Sequence, residues 1–425
     1  MALDEQFKQF LESYPKDKLG ELVPLKDSCK NGSSAWVFPC KKGDLEVVIK
    51  KSKPGLLPKS GTSNRKKFET INKILPKLSH KNIVRMYTSA IVSEGEDETY
   101  YLMMGYVNGG TLEDAFYKNK PSPEQFLAIA GGICDALDYL SRQIDEEKNH
   151  LAHRDVTPTN ILIHRDGQSI IAKLSDFGLV SGEHTTQQTV GTPGYRAPEQ
   201  KLHHRSSSKS DIFSFGAVLY ELLVPGPRLF KRDDGDVVEY ENEGALEERL
   251  ERLEIKGNPL LTKCVKHCLA FNPDDRYHSV LALKNDLLIS VKYREEAETI
   301  QKIFAGCGLK EGEESKLPPI DKARGIREPI MRILADGNIS YSQLYHSEVL
   351  QDFAAHLAQV EKNIRSKLNL FGIEKQGDDK YKFQNLPPDF ETAYQIPWLE
   401  LLECFGQSKE RGRTPDAIDE AMTAT

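Results

Sequence analysis

The sequence predicts an α+β fold with two unlike lobes, a β-rich one followed by an α-rich one, and a mainly α-helical module behind them. Three observations carry that prediction. Short β-branched runs, such as Val47, Val48 and Ile49 before Lys50, recur up to Met104. From Pro123 to Tyr293 apolar residues instead recur at helical spacing. A stretch rich in Gly, Glu, Lys and Pro, residues 306–327, then reads as a linker to a further unit. At 425 residues the chain also exceeds what one hydrophobic core usually organises.

Taken in order, residues 1–24 carry a helical pattern (Leu3, Phe7, Phe10, Leu11) that ends near Pro15 and reads as an appendage. Strands are expected at 34–39 and 45–50, and a Pro/Gly/Ser/Lys loop at 54–64. A helix follows from Arg65 to about Leu78. Strands at 83–89 and 99–104 flank an acidic turn at 93–98. After Gly109-Gly110, helices are expected at 123–141, 210–223, 244–253, 260–270 and 279–293, with a charged helix continuing to about Phe304. Beyond the linker come helices at 329–336, 341–344 and 350–370, then two short strands around Gly377 with Ile373, Tyr381 and Phe383 inward. The resulting division is 1–24, an N-terminal helical appendage; 25–290, the two lobes; 291–325, helix and linker; 326–390, a small helical module; and 391–425, a helix and flexible tail.

Hydrophobic residues at 39% and charged residues at 28% are ordinary globular values. A net charge of −7 disfavours a phosphate-backbone binder for the chain as a whole. The N-terminus lacks the basic-then-apolar order of a signal peptide, and no apolar run is long enough to span a bilayer. Seven scattered cysteines suit a reducing compartment, which makes the sequons at Asn31 and Asn338 inert. Cys264 and Cys268, with His267 between them, lack a second ligand cluster and read as buried packing. The expected location is cytoplasmic, with nuclear access open.

The densest chemical signal is HRDVTPTNIL, residues 153–162, followed by Asp176-Phe177-Gly178. Phosphoryl transfer from a nucleotide needs oxygen ligands for magnesium, a carboxylate beside the attacking hydroxyl, and a cation on the α/β-phosphates. These segments, with Lys50, supply all three. HRD with Asn160 downstream, then DFG, then APE at Ala197, Pro198 and Glu199, resembles the eukaryotic-type serine/threonine protein kinase family over about residues 25–290. The resemblance implies a bilobal kinase fold, ATP and Mg2+. It also implies roles: Asp155 orients and deprotonates the substrate hydroxyl, Asn160 and Asp176 ligate the metals, and Lys50 holds the α/β-phosphates. Glu69, on the helix after Lys50, is where a kinase places the carboxylate that pairs with that lysine, although the spacing to Leu78-Ser79-His80 is longer than usual. Met104 falls at the gatekeeper position of a hinge through Tyr106 and Val107, where the nucleotide base enters.

The match has departures. A glycine-rich phosphate loop ending at Val37 needs glycines at 30, 32 and 35, and only Gly32 is present, beside Lys30 and Ala35. Two residues after Asp155 the family's serine/threonine kinases usually carry a lysine, and here stands Thr157, which removes a transition-state cation. GTPGYRAPE, residues 191–199, resembles the serine/threonine form of the substrate loop, with Thr192 expected to hydrogen-bond Asp155. Ser181, Thr185, Thr186 and Thr189 are candidate phosphorylation sites that Arg154 would bind. Asp211 would anchor the catalytic loop, and Arg276 would pair with Glu199.

The helices and β-ribbon of 326–390 weakly resemble a winged helix, with Arg365, Lys367, Lys375, Lys380 and Lys382 available to phosphates. LPPDF and IPWLELL, within 386–402, faintly resemble the end of a kinase-extension ribonuclease, without the basic, histidine-bearing cluster that cleavage requires. A protein-interaction module is the plainer reading. The expected function is therefore a serine/threonine protein kinase acting on proteins bearing Ser or Thr, regulated by activation-loop phosphorylation. A pseudokinase-like scaffold, and a kinase coupled to a nucleic-acid-binding or ribonuclease module, are the alternatives. Self-association stays open as a partner relation, and a membrane is not expected.

Overall fold

The computed structural model describes residues 5–26, 29–32, 35–53, 65, 69, 72–94, 97–145, 148–177, 181–182, 191–224, 229–230, 243–251, 253–305, 329, 332–333, 338–339, 343–344, 347–350, 373–376 and 380–383. The chain divides into two compact units: residues 1–257 with 265–281, and residues 258–264 with 282–425.

The first unit begins with α1 (Glu5–Ser13) and a single turn, α2 (Lys16–Leu19). Its sheet contains β1 (Val23–Pro24), β2 (Lys30–Asn31), β3 (Ala35–Lys42), β4 (Leu45–Ser52), β5 (Met86–Glu94) and β6 (Asp97–Gly105). The strands run antiparallel in the order β1-β3-β4-β6-β5, with β2 paired to the other part of β3. Strand side chains alternate between faces, so the pairings sort them cleanly. Phe38, Cys40, Val47, Ile49, Ala90, Tyr101 and Met103 form one buried face, and Phe10, Tyr14, Leu19 and Leu22 complete its core. The ring of Phe10 stacks on Phe38 at 4.1 Å and on Tyr14 at 5.2 Å. Tyr14 Oη accepts from the amide of Leu22 (3.0 Å), and Lys18 Nζ donates to the carbonyl of Ile91 (2.9 Å). The segment expected as an appendage thus supplies one wall of the lobe's core. Val37, Lys50, Leu102 and Met104 alternate to the opposite face, in register as Val37↔Lys50, Lys50↔Leu102 and Val48↔Met104.

The second lobe starts with α3 (Leu112–Phe116) and α4 (Pro123–Ser141). Ser122 and Gln125 close a capping box on α4 and Pro123 takes its first turn, which explains why this helix begins where the sequence pattern places it. Short strands follow that hydrophobic periodicity had not marked: β7 (Leu151–Ala152), the hairpin β8 (Ile161–Asp166) and β9 (Ser169–Leu174), and β10 (Ser181–Gly182) paired to β7. Then come α5 (Pro198–Leu202), α6 (Ser208–Leu223) and α7 (Glu243–Glu251). Ile212, Phe213, Phe215, Ala217, Val218 and Leu219 of α6 are all buried, the all-round pattern of a central helix. A Cβ at Gly216 would sit 2.5 Å from Cys268 Cβ, so glycine allows that close approach.

Helices α8 (Pro259–Cys268) and α9 (Val280–Lys292) have residues in both units, and α10 (Arg294–Ala305) lies in the second. Within the second unit, Asn258 caps α8 through the amide of Leu261 (3.0 Å) and donates to the carbonyl of Ser290 (2.9 Å). Buried Asp286 accepts from Ser347 Oγ (2.6 Å) and from the amides of Glu348 (3.1 Å) and Val349 (3.2 Å). Ile300, Ile333, Ile339, Leu344, Val349 and Leu350 are buried. The two expected strands around Gly377 are β11 (Ile373–Gln376) and β12 (Lys380–Phe383), paired antiparallel. Arg365, Lys367 and most of the 350–370 helix lie outside the described residues, as do residues 384–425. Cys264 and Cys268 are buried. Among the described residues no helix is long and apolar enough to cross a membrane.

Candidate active site

The loop between β7 and β8 brings the motif residues to one point. Asp155 Oδ1 accepts from Thr192 Oγ1 (2.6 Å) and the Thr192 amide (2.7 Å), while Asp155 Oδ2 accepts from Asn160 Nδ2 (2.8 Å). Asp155 and Asn160 come from one turn, and Thr192 arrives from a segment 37 residues away. Gly191 makes that arrival possible: its φ is +95°, and a Cβ there would stand 2.8 Å from the carbonyl oxygen of Arg154. Gln200 Nε2 donates to the same carbonyl (3.1 Å), a positioning contact that no sequence motif marked.

The loop is anchored from below. Asp211, at the start of α6 and fully buried, accepts from the amides of His153 (2.7 Å) and Arg154 (2.7 Å). Burial pushes its carboxyl pKa up, and His153 and Arg154 oppose the rise. Burial pulls Arg154 down to about 10, against the pull of Asp211. Arg154 and Asp176 both occupy the left-handed region, at φ 72° and 60°. Non-glycine residues there are strained, and such strain clusters at functional turns. His153 bonds the carbonyl of Ser175 (2.9 Å) and meets Phe177 edge-on at 4.9 Å.

Lys50 Nζ lies 2.7 Å from Asp176 Oδ2. Glu69, expected opposite Lys50, instead pairs with Arg65 at 2.7 Å, one helical turn away, and its side chain is 48% exposed. Arg65 is buried and also binds Glu98 at 2.6 and 3.2 Å, a two-pronged contact that holds the start of the helix to the start of β6. Bonds to Glu98 and then Glu69 push the Arg65 pKa up further. The long spacing between Glu69 and Leu78 was the sequence's sign of this rearrangement.

Around the cleft, Gly32 donates its amide to the carbonyl of Ala35 (2.9 Å). Lys30 reaches Asp114 Oδ2 at 3.8 Å, between two exposed side chains. Met104 continues β6 into the segment of Tyr106 and Val107, where the Tyr106 amide donates to the carbonyl of Glu46 (3.1 Å) and Lys26 covers the Tyr106 ring at 5.1 Å. Thr157 is buried against Thr159 at 3.0 Å and brings no charge. Thr185, Thr186 and Thr189 lie outside the described residues.

Among the described residues no cluster of three or more His, Cys, Asp or Glu could hold a metal by itself. Asn160 and Asp176 nevertheless fit a hard cation. The carbonyl of Asn160 accepts from the Ser175 amide (2.8 Å) and Ser175 Oγ (2.9 Å), which fixes the carboxamide residue beside the one preceding Asp176. Two oxygen-bearing side chains with the remaining positions left to phosphate and water is a donor set that Mg2+ accepts.

Distant polar contacts brace this lobe. Arg276 pairs with Glu199 through two 2.8 Å bonds, and Ser210 Oγ donates to Glu199 Oε1 (2.6 Å). Arg276 also satisfies the carbonyls of Lys209, Ala270 and Phe271.

The sequence profile of the protein kinase domain matches residues 29–288. Serine/threonine-protein kinase PknB of Mycolicibacterium smegmatis is 31% identical over 219 residues, 50% of this chain and 33% of that protein. A probable serine/threonine-protein kinase of Streptomyces coelicolor is 31% identical over 223 residues, 49% of this chain and 31% of that protein. Receptor-like protein kinase ANXUR1 of Arabidopsis thaliana is 34% identical over 196 residues, 44% of this chain and 21% of that protein. The chain therefore matches about a third or less of the length of these curated relatives. With the kinase profile spanning more than half of its residues, over a β-sheet lobe and a helical lobe, the chain belongs to the protein kinase family.

Proposed function

We propose that this chain transfers the γ-phosphoryl group of ATP to serine or threonine hydroxyls of proteins. The observation that carries the reading is the convergence on Asp155 of Thr192 and Asn160, with Lys50 and Asp176 joined nearby. The relatives named above as serine/threonine kinases support the choice of acceptor.

In this reading Asp155 orients the attacking hydroxyl and takes its proton, and Thr192 sets which oxygen of Asp155 faces the substrate. Lys50 exchanges part of its contact with Asp176 for the α/β-phosphates. Asn160 and Asp176 would hold Mg2+, which neutralises charge on the phosphates when bound. Tyr106 and Val107 would border the base, and Gly32 and Val37 would cover the sugar and phosphates. Because Thr157 adds no cation near the transferred group, turnover is expected to be slower than in kinases with a lysine there. Phosphorylation of the segment at 185–189, read by Arg154, is the regulation we propose; treatment with a phosphatase lowers activity if it operates.

The test is transfer of label from γ-labelled ATP with Mg2+ to Ser/Thr peptides. Transfer by the wild type and its loss in Asp155→Asn are the expected results. No transfer under any metal condition would favour a scaffold built on the kinase fold.

A further inference from the structure

We propose that Asn72 and Tyr100 form the tether that holds the helix after Lys50 against the sheet, the positioning duty that Glu69 was expected to perform through Lys50. The inference rests on the kinase reading and names two positioning residues for its nucleotide site. Three observations converge on it.

Glu69 is spent elsewhere. Its carboxylate faces Arg65 and solvent, while Lys50 faces Asp176. Residues 65, 69 and 72 share one helical stripe; Arg65 reaches the start of β6 at Glu98, and Asn72 reaches the same strand at Tyr100, two residues from the register partner of Lys50. There the Tyr100 hydroxyl donates to Asn72 Oδ1.

Tyr100 is fixed at both ends. It lies on β6 two residues from Leu102, the register partner of Lys50, so its side chain points to the face that Lys50 occupies. Its amide donates to Ser52 Oγ at 2.9 Å, on β4 two residues beyond Lys50. A single residue therefore links the lysine's own strand to the helix.

The hydroxyl also sits within the field of the site. Burial pushes the Tyr100 phenol well above its usual range and the charge of Asp176 adds to the rise, with a hydrogen bond to Ser89 opposing it. Tyr100 therefore stays protonated and able to donate throughout the working pH range. A neutral phenol-to-carboxamide bond places the helix without competing with phosphate for the lysine. It also avoids the desolvation cost that an additional carboxylate in the cleft would carry.

The experiment compares full-length Glu69→Gln, Asn72→Ala, Tyr100→Phe and the double variant Asn72→Ala/Tyr100→Phe. Two readouts are used: kcat and KM for Mg2+-ATP, and amide hydrogen exchange at residues 72–74. Asn72→Ala and Tyr100→Phe are each expected to lower kcat/KM for ATP on the order of 10-fold. The double variant should fall within about twofold of either single one, as expected for one shared bond. Exchange at 72–74 should accelerate in both single variants, and Glu69→Gln should stay within about twofold of wild type by either measure. A 10-fold loss confined to Glu69→Gln, multiplicative losses in the double variant, or unchanged exchange in Tyr100→Phe would overturn the tether. A wild type without turnover counts against the kinase reading, and the exchange comparison then still decides the tether.

Discussion

Asp155 holds three hydrogen bonds through its two carboxylate oxygens, two from Thr192 and one from Asn160. Asn160 ties it to the turn that we propose holds the metal, and the Thr192 hydroxyl and amide tie it to the proposed substrate loop. Asp155→Asn preserves the shape but cannot take the proton, so kcat is expected to drop by about 10²- to 10⁴-fold, with KM for ATP changed little. Steady-state phosphate transfer checks this. Gly191→Ala tests the approach of that loop. The added methyl meets the Arg154 carbonyl at 2.8 Å and takes a positive φ, so kcat should fall with the Thr192 contact while nucleotide binding is retained. Titration of nucleotide fluorescence alongside transfer separates the two effects.

Among the elements, α1 and α2 contribute more than their sequence suggested. Phe7, Phe10 and Leu11 announce an amphipathic helix, but nothing in their spacing says which surface it covers. The sheet face of Phe38, Cys40, Val47 and Ile49 would be exposed to water without it. Phe10 is 1% exposed, and truncating a buried phenylalanine costs about 3–5 kcal/mol. Phe10→Ala is therefore expected to lower the urea midpoint of the kinase domain, a shift that a dispensable appendage would not produce. Other elements were legible in full: α4 carries Ser-Pro-Glu-Gln at its start, a cap, a first-turn proline and a reciprocal box in four consecutive residues. The strands β7 and β10 were not, because two residues show no periodicity and their pairing spans 29 positions, from Ala152 to Ser181.

At the scale of the whole molecule, long-range polar contacts decide which segments stay together. The Glu199–Arg276 pair joins positions 77 residues apart with both partners buried. Arg276→Ala strands a buried carboxylate and is expected to cost about 3–5 kcal/mol, read as a lower unfolding midpoint. Replacing both partners with apolar residues should recover part of that loss. In the second unit, Asp286 plays the corresponding part for residues 347–349. Asp286→Ala removes the acceptor of two amides, so hydrogen exchange at Glu348 and Val349 should speed up; unchanged exchange would show that apolar packing alone holds that segment.

The linear chain by itself pointed to the chemistry we propose: a candidate proton acceptor, two candidate oxygen ligands and a lysine are residue types, readable wherever Lys50, HRD, Asn160 and DFG stand in order. Helices with caps and strands with β-branched runs were readable for the same reason, since their causes lie within a few neighbouring residues. Only the tertiary structure decided who pairs with whom. Glu69 had the right charge and nearly the right place, yet Arg65 lay one turn away on its own helix, and Asn72 met a tyrosine 28 residues distant. Electrostatic attraction and hydrogen bonding act over a few ångströms of space, and distance along the sequence does not measure that space.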